Sequence, residues 1–156
     1  MKVIPPVLLG ATAGALATVA MSAVMVAAKR AGVTGELPPE QITRSAIAAS
    51  SVEPLDDLTE AAIAVVTHIG FGATAGALFG LLTARTVAAR GSFAIAAFTG
   101  MIYATGIWLV SYQGWVPALG IMPPASRDRP GRVVTMLVAH WVYGAALGVL
   151  ATLFRR

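Results

Sequence analysis

The chain has 156 residues, enough for one domain, and 57% of them are apolar against 12% charged, where soluble domains use about 45–50% apolar residues. It has no cysteine, which excludes disulfides, thiolate metal sites and cysteine nucleophiles. Its formal charge of +4 is no nucleic-acid signature, because the basic residues flank apolar runs and form no aromatic-interleaved surface.

Asp, Glu, Lys and Arg are absent from residues 3–28, 61–84, 91–126 and 133–154. About 20 apolar residues suffice to cross a hydrocarbon core, so the reading is a single all-α domain over 1–156. It is a polytopic membrane protein with four transmembrane helices, at about 4–28, 61–84, 92–112 and 133–154.

The first run follows Lys2 and is closed by Lys29 and Arg30. It outlasts the apolar core of a signal peptide and reads as a retained helix. Pro5 and Pro6 suit a first helical turn, whose amides lack partners in any case. Residues 31–60 form a polar connection. Within it, "PPEQITRSAIAASS" predicts a short interfacial amphipathic helix, with Glu40 and Arg44 paired at i,i+4.

A short turn bearing Arg85 and Arg90 joins the second span to the third. The charge-free run then continues through "QGWVPALGIMPPAS", too rich in Gly and Pro to stay helical. It predicts a loop packed on the bundle or dipping into the membrane. "RDRPGR" follows as a solvated turn before the last span, which ends in Arg155 and Arg156.

The two histidines sit in similar surroundings, "THIGFGATAG" and "AHWVYGAALG". Aligning His68 with His140 places Glu60 on Arg132, Phe71 on Tyr143, Gly72 on Gly144 and Gly76 on Gly148. Upstream, "GELPP" corresponds to "GIMPP". The expectation is two parallel two-helix repeats, both histidines at one depth, about 10 Å below the surface. Gly10, Gly14, Gly72, Gly76, Gly80, Gly144 and Gly148 are spaced for close helix approach, the main packing device where lipid supplies no hydrophobic drive.

Intramembrane titratable groups face the bundle interior and often mark function. The plainest role for the two rings is neutral imidazole, hydrogen-bonded inside the bundle. A second is bis-histidine haem b, with His68 and His140 as axial ligands and Gly72 and Gly144 making room for the macrocycle. A third is a proton or polar-ligand site that Tyr103 and Tyr143 join. A metal ion is the poorest fit, since no acid lies within a span to complete the ligand set. No carboxylate pair, nucleophile elbow or phosphate loop is present.

The loops joining spans one–two and three–four carry all seven acids and six bases, against five bases and no acids on the other side. The wholly basic tails and short turn place the termini in the cytoplasm.

Four short spans, a Gly-x-x-x-Gly first helix and a last helix reading "HWVYGAALG" together resemble the uncharacterised small bacterial inner-membrane proteins grouped around YagU. The resemblance implies inner-membrane residence and no established chemistry. The functional expectation is a non-enzymatic accessory, packing or small-ligand-binding membrane protein. A haem b electron carrier and a proton-coupled or small-solute conduit stay open beside it. The expected partners are the lipid bilayer and either a second copy or a larger membrane complex.

Overall fold

The computed structural model describes residues 4–50, 53, 55–84 and 92–155. The expected turn with Arg85 and Arg90, Lys2 and Arg156 lie outside the described residues. Every regular element among those described is helical: α1 (Pro6–Arg30), α2 (Pro38–Ala49), α3 (Asp57–Thr83), α4 (Phe93–Val110), α5 (Val116–Ala118) and α6 (Pro130–Leu153). A π-helical turn, Ser111–Trp115, links α4 to α5. Four stretches are long and apolar enough to cross a membrane: α1, α3, α6 and the α4–α5 unit, Phe93–Ala118.

The boundaries follow local chemistry. Pro6 and Pro130 open α1 and α6 at positions needing no amide donor. Lys29 and Arg30 close α1, their charges matching the negative end of its dipole. Helix α3 starts four residues before the expected span. The Asp56 carboxylate caps it by accepting from the amides of Leu58 at 3.1 Å and Thr59 at 3.0 Å, so the charged first turn is helical too. The third span also outruns its expected end at residue 112. Gly114 (φ −104°, ψ −105°) is absorbed in the π-turn, and Pro117 falls in the first turn of α5, where proline is tolerated. The chain turns away at Gly120, whose φ of +69° favours glycine. The following loop packs on the bundle, with Met122 buried.

Helix α2 forms where expected, with the Glu40 carboxylate accepting from the Leu37 amide at 2.9 Å. The expected Glu40–Arg44 pair does not form. Glu40 binds Lys29 at the end of α1, at 2.7 Å, while Arg44 binds Glu36 and reaches Glu60 on α3 at 3.3 Å. Each side chain finds a partner on a neighbouring element, so the charges fasten α2 to its surroundings instead of bracing it internally.

Helices α1 and α3 pack closely, as do α4 and α6, and α1 also lies along α6. The first seam is glycine on glycine. A β-carbon on Gly14 would collide with the Gly72 carbonyl and reach within 2.8 Å of the Gly76 Cα. The second seam sets Gly100 against Gly144 and Gly148, and Ala96 against Gly148. Both seams are antiparallel. The last turns of α3 and α6 meet where Arg155 donates to the Gly80 carbonyl, while His68 and His140 share one cavity further back, so α3 and α6 run the same way.

Where the helices come closest the interior is small: Ala13, Ala17, Ala104 and Ala139 are fully buried, beside larger core residues such as Met136 and Leu147. Bulky apolar side chains point outward, among them Val66, Leu82, Phe98 and Val110, each more than half exposed. A soluble bundle does the reverse. An apolar exterior over four spans is the surface of a multi-pass membrane protein.

Candidate functional site

Towards the end of the bundle that bears α2, the glycine seams give way to larger side chains and a cavity of about 240 Å³. Met21 and Met25 of α1, Met136 of α6 and Trp115 of the π-turn form much of its wall, while Pro38 and Ile42 of α2 cover it. His68 and His140 both line it. They stand in the twelfth and eleventh positions of α3 and α6, each about 15 Å along its helix.

The two rings are held differently. The His140 Nδ1 is 2.7 Å from the Met136 carbonyl one turn earlier. A carbonyl only accepts, so Nδ1 carries the proton. The Nε2 atom then presents a lone pair and has no protein partner among the described residues. The His68 Nδ1 lies 3.4 Å from Ser22 Oγ on α1, a longer contact that leaves its tautomer free.

Tyr143 also lines the cavity, and its hydroxyl donates to the Gly72 carbonyl of α3 at 2.8 Å. Tyr103 is on α4 outside the cavity wall. Its hydroxyl donates to the Ala75 carbonyl at 2.7 Å, and its ring tilts against Phe79 with centroids 5.2 Å apart. Both tyrosines therefore tie other helices to α3.

The glycines divide as well. Gly72 lines the cavity but faces Thr18, whose hydroxyl occupies the space a β-carbon would need. Gly144 is closed by the Gly100 carbonyl and the Ala104 methyl.

Thr67 and Phe71 are exposed and also form cavity wall, so the cavity reaches the outer surface along α3. Thr67 lies seven residues past Glu60, the last charged residue of that helix, or about 10 Å further along the axis. The mouth therefore opens within the apolar belt.

Two polar clusters flank the cavity. Lys29, Glu36, Glu40, Arg44 and Glu60 form the exposed network that fixes α2. The Glu60 hydrogen bond, then the charge of Glu36, raise the Arg44 pKa above its ordinary value. Tyr112, stacked on Trp108, donates to Asp128 Oδ2 at 2.6 Å, and Arg132 approaches the same oxygen at 3.5 Å. The Asp128 side chain is only 3% exposed. This second cluster pins the 119–129 loop over the cavity. Sequence reasoning missed it and also missed Ser22; its one trace was the pair of charges at i,i+4 in "RDRPGR". Among the described residues, no three acids or histidines gather as a metal site would need.

A four-span helical membrane protein, enclosing a largely apolar cavity with two imidazoles on its wall, is the class these features define. The chain belongs to a family of unknown function, DUF6789, which matches it over residues 4–156. That match does not name the YagU group. No curated protein and no solved structure matches the chain.

Proposed function

We propose that this protein binds a small apolar molecule drawn from the bilayer, in a bacterial inner membrane with its termini in the cytoplasm, and catalyses no reaction itself. The observation that carries the reading is the lateral cavity, apolar apart from His68, His140 and a few hydroxyls. Ligand sites are commonly apolar clefts with a few convergent polar groups. The matching glycine seams of α1–α3 and α4–α6 support an origin by duplication, and the likeness of α6 to the YagU group belongs to the same proposal.

Haem b is less well served. The rings share a cavity, but Gly144 is filled by α4, and among the described residues no Lys or Arg is on the wall to meet the propionates. A visible spectrum of the purified protein tests it: a Soret band lost on replacing either histidine would reinstate haem. A conduit would have to pass the other end of the bundle, where Gly10 meets Gly76 and Gly80 backbone to backbone.

The ligand reading is tested by native mass spectrometry of protein extracted in mild detergent, beside a Met122→Trp variant. Met122 is buried on the cavity wall, so the larger ring should fill the space. The expected result is a bound small molecule, or capture of an added alkylbenzene, by the wild type alone. Equal retention by both forms, or none by either, would overturn the assignment.

A further inference from the structure

We infer that the cavity selects an uncharged molecule whose polar group donates a hydrogen bond, a phenol or alcohol, over one that only accepts. The inference rests on the ligand-binding reading above and adds the chemistry of the ligand's head.

The hydroxyl protons on the wall are already committed to the protein. Thr18 donates its hydroxyl proton to the Gly14 carbonyl at 2.8 Å, and Thr67 donates to Ile63 at 2.7 Å. Ser111 donates to the Ile107 carbonyl at 2.7 Å, Tyr143 to Gly72 at 2.8 Å and Tyr112 to Asp128 at 2.6 Å. All five residues line the cavity, and each has committed its only proton to the protein. What they offer inward is lone pairs.

His140 repeats the pattern more strongly. Its Nδ1 proton is spent on the Met136 carbonyl, which leaves Nε2 as an acceptor. Among the described residues, only His68, through the tautomer its loose contact with Ser22 permits, and the indole N–H of Trp115 are able to turn a proton inward. The wall is therefore rich in acceptors and poor in donors.

Charge narrows the class. Among the described residues, no Asp, Glu, Lys or Arg lines the cavity, and burying an ion without a partner costs far more than burying a neutral polar group. A carboxylate head would also need more donors than the wall supplies. A ligand that only accepts, such as an ether, would leave Nε2 unpaired. A phenol or alcohol satisfies it and enters from the lipid past Thr67 and Phe71 without meeting a formal charge.

The test compares para-butylphenol with its O-methyl ether, equal in apolar shape except at the oxygen. Each is titrated into the full chain in detergent, and binding is followed by thermal stabilisation. The phenol should bind about tenfold tighter, the worth of one hydrogen bond to a buried acceptor, and His140→Phe should bring it down to the ether's affinity. Equal affinities, or tighter binding of the ether, would overturn the donor rule and leave the apolar site standing. Binding of neither probe would overturn both. Should His140→Phe fail to fold, nitrogen NMR of the wild-type imidazoles gives the answer. The phenol and not the ether should move the His140 Nε2 resonance, and an unmoved resonance on phenol binding would end the proposal.

Discussion

The two ends of this bundle are built from the same helices by opposite means. At the end near the termini, glycines on both sides of a seam let backbones fill the space. Arg155 closes that end by donating to the Gly80 carbonyl at 3.0 Å and to the Thr83 hydroxyl at 3.1 Å. At the α2 end the glycine rows stop, so methionines and aromatics must span the wider gap, and they leave a cavity. Backbone contact is rigid and dry; long flexible side chains pack with slack. The chain thus separates a structural end from one with room for a ligand.

The glycine end gives the sharpest way to break that contrast. A β-carbon at Gly76 would run into the Gly10 carbonyl and come within 2.7 Å of the Gly14 Cα. Both are backbone and cannot step aside. Gly76→Leu should cost at least ~3 kcal/mol, the upper range for forcing bulk into a packed core, seen as a large fall in detergent melting temperature. Gly106 also lies in a long helix, yet a β-carbon there meets nothing within 4 Å. Gly106→Ala should raise stability by about 0.5–1 kcal/mol through helix propensity alone. If the two substitutions behaved alike, the glycine seams would not be holding the bundle.

The next effect belongs to the cavity end. Asp128 accepts from Tyr112 and from the Arg129 amide at 2.6 Å each, with Arg132 beside it. Asp128→Ala leaves a largely buried guanidinium without its counter-charge, and such a loss costs about 3 kcal/mol. Because the contact ties down the loop over the cavity, the variant should also bind para-butylphenol less tightly. Unchanged melting with unchanged binding would show that the loop is held by Met122 and Val116 packing instead.

How much of this was legible in the sequence follows from the range of each interaction. Absence of charge over long runs is a local property, and it found the four spans. Proline pairs and an amphipathic pattern located α2 for the same reason. The charge rule marked the apolar part of α3 and not its first turn, because a capped, acidic turn is helical without being apolar. Spacing placed both histidines on one cavity and the glycines on the seams. It could not tell that Gly144 is filled by α4 while Gly72 borders the cavity, since that depends on which residue arrives opposite. Glu40 and Arg44 were mispaired for a similar reason: local spacing put them within reach, but α1 and α3 brought better partners. The Tyr112–Asp128 contact spans 16 residues across a π-turn, and no local pattern encodes it.

The smallest effect comes from acid and bears again on the difference between ends. The Thr59 hydroxyl, then its amide, hold the Asp56 carboxylate below its ordinary pKa of 3.8. A carboxyl whose pKa is lower folded than unfolded stabilises the fold above the unfolded value, and that contribution is lost as pH falls through the folded value. The window therefore lies below 3.8. There the cap on α3 releases the Leu58 and Thr59 amides, which should exchange faster relative to their intrinsic rates. Among the described residues the opposite end has no acid near its seams, and Arg155 keeps its charge as the pH falls, so amides along Gly76–Gly80 should stay protected. Loosening at both ends together would mean that the α2 end does not open independently, and a ligand would then have to wait for the whole bundle to breathe.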